Sequence, residues 1–293
     1  MLLDGIIIKG YSGFYYVLAN SDVWVCSLRG KYRVKTQSFL PGDRVIIQTT
    51  DENKGVIETV EPRRNELTRP PVANIDQVII VMAFTHPEPD FWLLDRLLVT
   101  AQASSVQPII CFNKADLITD AEREIITKVY GSISFPFVIT STKDKRGIDK
   151  LKILLTNRIS VFAGPSGVGK SSLFNVLEPE LIQKTGEISE KLARGKHTTR
   201  HVELIRLSKG GLLADTPGFT QTFLPKDFKR ENLSSYYPDF VELRDKCRFK
   251  SCLHRLEPQC AVREAVSSGA LDYARYERYL AMLAEVIEEE SRF

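Results

Sequence analysis

One octapeptide limits what this chain can fold into. Gly164-Pro165-Ser166-Gly167-Val168-Gly169-Lys170-Ser171 fits G-x-x-x-x-G-K-[ST]. It follows a strand-like run, Ile159–Ala163, and opens a helix-like one, which is the context that makes the pattern a phosphate-binding loop. Its glycines let the backbone wrap so tightly that N–H groups converge on phosphate oxygens, and the helix N-terminus adds partial positive charge. Lys170 is then placed to reach the β- and γ-phosphates, Ser171 to hold Mg2+ through its hydroxyl, and Ser172 to complete the nucleotide-binding stretch. Such a loop demands an α/β scaffold, and residues 72–222 supply the alternation. Gln77–Phe84 is a continuous apolar run suited to a doubly buried strand. Phe91–Ser104 has helical periodicity with Asp90 as its cap, and Pro108–Phe112, Thr119–Tyr130, Phe137–Thr140 and Gly147–Leu155 read strand, helix, strand, helix. Helices on both faces of a parallel sheet follow from that pattern.

The base is read elsewhere. Asn113-Lys114-Ala115-Asp116 comes directly after a strand, at the carboxyl edge where open α/β sheets bind ligands. The Asp116 carboxylate can accept two hydrogen bonds from the guanine N1–H and exocyclic amine, a donor pair adenine lacks. Ser141-Thr142-Lys143 stands where a second loop would touch guanine, although as a loose match to S-A-K. Asp215-Thr216-Pro217-Gly218 supplies D-x-x-G, with Asp215 placed to hold Mg2+ through water and the Gly218 amide to sense the γ-phosphate. In Gly195-Lys196-His197-Thr198-Thr199-Arg200, one threonine is expected to bind Mg2+ and the γ-phosphate. Thr199 is favoured by the Thr-Arg pair, and Thr198 is the alternative. The usual order in GTPases is P-loop, threonine, D-x-x-G, N-K-x-D, S-A-K. Here the base-reading motifs come first, so the domain is circularly permuted, and the chain leaves it directly after D-x-x-G.

Two flanking segments complete a multidomain chain. Residues 1–68 carry five short β-branched or aromatic runs between turn formers, which suits an all-β OB-like barrel or another five-stranded barrel or sandwich. Glu61–Pro71 reads as a polar, proline-ended linker in which regular structure stops. Residues 223–293 turn helical and charged. They hold Cys247-x4-Cys252-x-His254-x5-Cys260, a Cys3His set fit for one structural Zn2+ with no open coordination position. Of the five cysteines, Cys26 and Cys111 fall in strand-like runs and read as buried thiols.

With these motifs in this order, the chain resembles, over nearly its whole length, the ribosome small-subunit-dependent GTPase A family of circularly permuted bacterial GTPases. Arg69-Pro70-Pro71-Val72-Ala73-Asn74-Ile75-Asp76 and the cysteine cluster belong to the likeness. The resemblance implies an OB-fold barrel (1–68), a GTPase domain (72–222) and a zinc-binding helical domain (223–293). It also implies slow GTP hydrolysis stimulated by the small (30S) ribosomal subunit during its maturation, with GTP/GDP and rRNA as partners.

Catalysis needs a positioned water as well as neutralised phosphate charge. The residue after D-x-x-G, where many GTPases have Gln, is Phe219, which cannot orient water. That predicts slow intrinsic turnover and nominates His197 as the water-positioning group, with an RNA contact as its other reading. Net charge is only +3, from 40 Lys+Arg against 37 Asp+Glu, so any RNA surface must be local. Three basic clusters qualify: Lys31, Arg33, Lys35 and Arg44 near Tyr32; Lys184, Lys191, Arg194, Lys196, Arg200, Arg206 and Lys209; and Lys246, Arg248, Lys250 and Arg255 beside the metal ligands. A GTP-gated RNA-binding switch with little hydrolysis of its own, and a GTPase serving a protein partner or metal delivery, are the competing functions. With 43% hydrophobic residues, no bilayer-length apolar run and no signal-peptide pattern in MLLDGIIIKG, a cytoplasmic monomer away from membranes is expected.

Overall fold

β-Branched runs separated by glycine turns close on themselves at the start of the chain. β1 (Leu2–Tyr11), β2 (Phe14–Ala19), β3 (Asp22–Leu28), β4 (Arg44–Thr49) and β5 (Lys54–Val60) form a closed barrel in the order β1-β2-β3-β5-β4. The β3–β5 pair is parallel and the others are antiparallel, the OB-like arrangement. Alternation explains its core: Leu3, Ile7, Val17, Cys26, Val45, Ile47 and Ile57 point inward and are buried. Ile6 and Ile8, on the opposite face of β1, pack against the core of the next domain. The computed structural model describes residues 1–30, 39–68, 70–131, 133–179, 202–215, 224 and 228–292.

Instead of an irregular linker, the structure has a hairpin between the two domains. β6 (Glu66–Thr68) pairs antiparallel with β7 (Pro71–Ala73). Pro71 is tolerated because it opens its strand in a two-stranded ribbon, where a missing N–H breaks no interior ladder. The Pro41-Gly42-Asp43 turn of the barrel seats on this hairpin. Gly42 has φ +95°, and a Cβ there would stand 1.9 Å from the Ala73 carbonyl oxygen, so only glycine fits. The fully buried Asp43 carboxylate accepts the Arg63 guanidinium in a two-pronged pair at 2.7 and 2.9 Å, plus the Leu40 amide at 2.8 Å.

The central domain is built on β8 (Gln77–Ala83), β9 (Gln107–Asn113), β10 (Phe137–Ile139), β11 (Ile159–Ala163), β12 (Glu203–Arg206) and β13 (Leu212–Asp215). They form one sheet in the order β10-β9-β8-β11-β13-β12, parallel except for β12. All of β8 is buried, as its unbroken apolar run predicts. α1 (Phe91–Ala103), α2 (Asp120–Tyr130), α3 (Ile148–Leu155) and α4 (Lys170–Leu177) connect the strands. Two apolar clusters, one on each sheet face, hold these layers together. Asp90 caps α1 through the Leu93 amide at 2.9 Å, and Thr119 with Glu122 forms a capping box on α2.

The C-terminal module contains a 3-10 helix (Arg230–Tyr236), α5 (Pro238–Arg244), α6 (Ala261–Ser267) and α7 (Tyr273–Ser291). Tyr237, Phe240, Tyr279, Met282 and Leu283 are its core, and Val99 of α1 joins them. The module is tied to the central domain by buried charge. Asp95 of α1, with no exposed side chain, pairs with Arg275 and, at 2.6 Å, with Arg278 of α7. Tyr130 donates to Asp95 at 3.1 Å, and Asp239 holds the other side of Arg275 at 3.0 Å. Among the described residues no helix is long and apolar enough to cross a membrane.

Candidate active site and metal centre

The permuted motifs meet at one edge of the sheet. Asn113 ends β9, Thr140-Ser141 follow β10, Gly164 follows β11, and Asp215 ends β13, all at the carboxyl ends of parallel strands. The P-loop turns on positive-φ glycines. Gly164 (φ +122°) lies so close to β8 that a Cβ would be 2.0 Å from the Val81 carbonyl oxygen. Gly169 (φ +96°) caps α4, and a Cβ there would be 2.4 Å from the Asn113 amide nitrogen. Pro165 is half-buried, Ser166 and Gly167 are exposed, and Val168 points into the core. Ser171 and Ser172 are exposed in the first turn of α4, where an incoming phosphate and its cation have access.

Asn113 joins the two halves of the site. Its buried amide donates to the Val168 carbonyl at 2.9 Å, and its oxygen accepts the Thr140 hydroxyl at 3.1 Å. The N-K-x-D asparagine therefore fixes the P-loop to the loop after β10 and is spoken for before any ligand arrives. Lys114, in the left-handed region at φ +63°, turns its ammonium onto the His86 carbonyl, which fastens the loop after β8 beside the site. Asp116 is half-exposed and accepts the Ser141 hydroxyl at 2.7 Å. Ser141 in turn accepts from the Lys143 and Asp144 amides at 3.2 and 3.3 Å, so the carboxylate is aimed by a braced loop. Thr142 is half-buried in that loop. The Lys170 ammonium donates to the Gly164 and Pro165 carbonyls at 2.8 and 2.6 Å, and burial pulls it below the ordinary lysine pKa. Phosphate oxygens would relieve that desolvation, which favours an anion here.

Sequence reasoning missed the bracing roles of Thr140 and His86. Thr140 sits between two site motifs and carries the only side-chain clue. His86 acts through its carbonyl, which no residue pattern reports. His197, Thr198, Thr199, Gly218 and Phe219 lie outside the described residues, as do Lys31, Tyr32, Arg33, Lys35, Lys184, Lys191, Arg194, Lys196 and Arg200. Of Asp215 the backbone is described, in register with Glu203. Arg206, one of the basic residues nominated for RNA, donates to Ser21 of the barrel.

The cysteine cluster is assembled. The ligand atoms of Cys247, Cys252, His254 and Cys260 all lie within 4.8 Å of one another. Cys247 Sγ is 3.9 Å from Cys260 Sγ, and His254 Nδ1 is 3.6 and 3.3 Å from those two sulfurs. A tetrahedron with ~2.3 Å metal–sulfur bonds has sulfur–sulfur edges of about 3.8 Å, so the set fits one such ion. Burial pushes the Cys252 thiol up to about 12 and Cys260 upward as well, while it lowers His254. Thiolates in this setting need a cation beside them. Two α7 tyrosines grip the loop that carries the ligands: Tyr276 donates to the His254 carbonyl at 2.7 Å and Tyr279 to the Leu253 carbonyl at 2.8 Å. Glu257 accepts the Leu253, Arg255 and Leu256 amides from within the loop.

Comparison with known proteins gives a consistent pattern. A family model described as RsgA GTPase matches residues 60–224, and one described as RsgA N-terminal domain matches 4–57. A curated protein of Moorella thermoacetica, "Small ribosomal subunit biogenesis GTPase RsgA", is 50% identical over 99% of this chain and 100% of its own length. A protein of the same name from Caldanaerobacter subterraneus is 46% identical over 99% and 98%. Among solved structures, YjeQ from Thermotoga maritima superposes with a TM-score of 0.84 at 36% identity, covering 98% of this chain and 99% of that one. YloQ, described as a circularly permuted GTPase, gives 0.83 at 38% identity over 98% and 96%.

Proposed function

The chain belongs to the RsgA GTPase family and is a GTPase, and from that premise we propose that it acts as a nucleotide switch in maturation of the small ribosomal subunit, in the cytoplasm. The observation that carries the reading is the Asn113–Val168 tie, which makes one pocket of the guanine-reading loop and the phosphate loop. The relatives' printed names, which place those proteins in small ribosomal subunit biogenesis, support the subunit as the partner.

GTP binds with its base on Asp116 and its phosphates in the amide cradle of residues 164–171. Ser141 and Thr142 flank the base, and Lys170 leaves its carbonyl partners to neutralise phosphate charge. Ser171, Thr199 and Asp215 would hold the Mg2+, which would supply further charge neutralisation. Gly218 reports the γ-phosphate to the C-terminal module. His197 orients the attacking water when the subunit is bound. Slow intrinsic turnover follows from Phe219, whose ring can neither accept nor donate a hydrogen bond to water. Cys247, Cys252, His254 and Cys260 would hold Zn2+ in a structural role, since four protein ligands would leave it no position for substrate.

Single-turnover hydrolysis with and without purified small subunits tests the reading. A large rise in rate with subunits is expected, and a rate indifferent to them refutes the ribosomal assignment. A His197→Ala protein that keeps the full stimulated rate removes that residue from the mechanism.

A further inference from the structure

The barrel touches the GTPase sheet at the strand beside the magnesium end of the site. β12 is the outermost strand there, and its Glu203 stands in register with Asp215, the last residue of β13. The barrel reaches this edge from β1. A register shift between Ile7 and Lys9 adds one residue to β1 relative to β2, and such bulges re-aim the side chains that follow. Lys9 Nζ donates to Glu203 Oε2 at 2.7 Å. At the other end of β12, the Arg206 guanidinium donates to the Ser21 carbonyl at 2.7 Å and its hydroxyl at 3.3 Å. Ile6, Ile8 and Leu18 of the barrel pack into the same cluster as Val202 and Leu204. An apolar seam with polar contacts at its margin fixes orientation.

We propose that Lys9 and Glu203 are positioning residues for stimulated GTP hydrolysis, an assignment that rests on the subunit-dependent reading above. They hold the barrel against the strand next to Asp215, so RNA engaged by the barrel bears on the β12–β13 edge of the active site. The pair is half in water, with side-chain exposures of 36% and 44%. Ion pairs of that kind add little to stability, so altering this one leaves the fold intact and isolates its geometric role. Among the described residues the Lys9 and Glu203 side chains pair with each other, and Glu203 meets Asp215 through the strand backbone alone, so basal turnover is expected to survive a change of either side chain.

The test compares the unaltered protein with Lys9→Glu, Glu203→Lys and the double variant that exchanges the two charges. Two quantities are read: single-turnover hydrolysis with and without small subunits, and amide hydrogen exchange across residues 203–215 of the free protein. Lys9→Glu is expected to keep the basal rate and to lower the rate at saturating subunits about tenfold. The half-saturating subunit concentration stays the same, and exchange at β12–β13 speeds up. The charge-exchanged pair restores both. Full stimulation in Lys9→Glu, a loss the exchanged pair does not recover, or a change confined to subunit affinity overturns the assignment. If the unaltered protein shows no stimulation, the ribosomal reading has failed by itself, and exchange decides the structural link. Faster exchange over 212–215, recovered in the double variant, upholds it, and unchanged exchange removes it.

Discussion

Asn113 shows how much of this site is decided before a nucleotide binds. Its amide is held by Val168 and Thr140, and the glycine at 169 leaves it only just enough room. Gly169→Ala adds a methyl at 2.4 Å from that amide, in a left-handed backbone conformation that costs roughly 1–3 kcal/mol. Nucleotide binding should be lost while thermal unfolding of the barrel is unchanged, as read by titration with a fluorescent GTP analogue and by calorimetry. On the proposed reading, Asp116 sets base choice. Asp116→Asn removes hydrogen bonds to a charged acceptor worth roughly 1.5–3 kcal/mol, about a ten- to hundredfold loss of GTP affinity. The new amide should favour xanthine nucleotides, and competition binding with XTP checks it. At this scale the motifs that the structure gathers at one sheet edge were legible, because phosphate and guanine impose residue types at fixed spacings. Thr140 escaped because its contact with Asn113 joins positions that only the folded sheet brings together.

Among the elements, the loop between α5 and α6 carries the four residues that could hold a metal ion. Its four ligands are gathered under Tyr276 and Tyr279, and the module's small core includes Cys252 and Cys260. A strong chelator should unpack α7 from the loop, with loss of helical circular dichroism, while GTP binding at residues 113–171 persists. Acid should do the same. Burial raises the Glu257 carboxyl, yet the amides it accepts hold it below the ordinary glutamate value in the fold. Its ionised form therefore stabilises the loop at neutral pH, and that contribution is lost as pH falls toward the lowered value. The same acid protonates the ligands that must be bare to hold a metal. Metal release, followed with a chromogenic chelator, should precede melting of the barrel. Element types were readable from period and capping in β1–β5, α1, α2 and α7. The β6–β7 and β12–β13 hairpins were not: their strands are only 3–4 residues long and, unlike the equally short β10, do not stand between two helix patterns that mark a strand by alternation. A run that short gives no period to read, and Pro70-Pro71 argued against pairing.

For the whole molecule, the three units are joined by buried polar contacts as well as by chain. Asp95, Arg275, Arg278, Tyr130 and Asp239 form a network between α1, α2, α5 and α7. Burial works to raise the Asp95 carboxyl, against the two guanidiniums that draw it down. Arg275→Ala leaves that carboxylate short of a partner, so it should cost about 3–5 kcal/mol and detach the C-terminal module first. Urea unfolding followed at the module's tyrosines, beside nucleotide binding by the sheet, separates the two events. No local pattern announced this network, since Asp95 and Arg275 sit on helices 180 residues apart. The domain plan itself was legible, because motif order fixed the permutation and each flanking segment carried its own signature.

The Ile6-Ile7-Ile8 run has one more consequence. Only Ile7 faces the barrel's own interior, and its two neighbours are covered by the adjoining domain. Cut free at residue 60, the barrel would keep its closed topology but carry a bare greasy strip on its flank. Such a fragment should self-associate on a sizing column, and any binding measured on it would describe an oligomer.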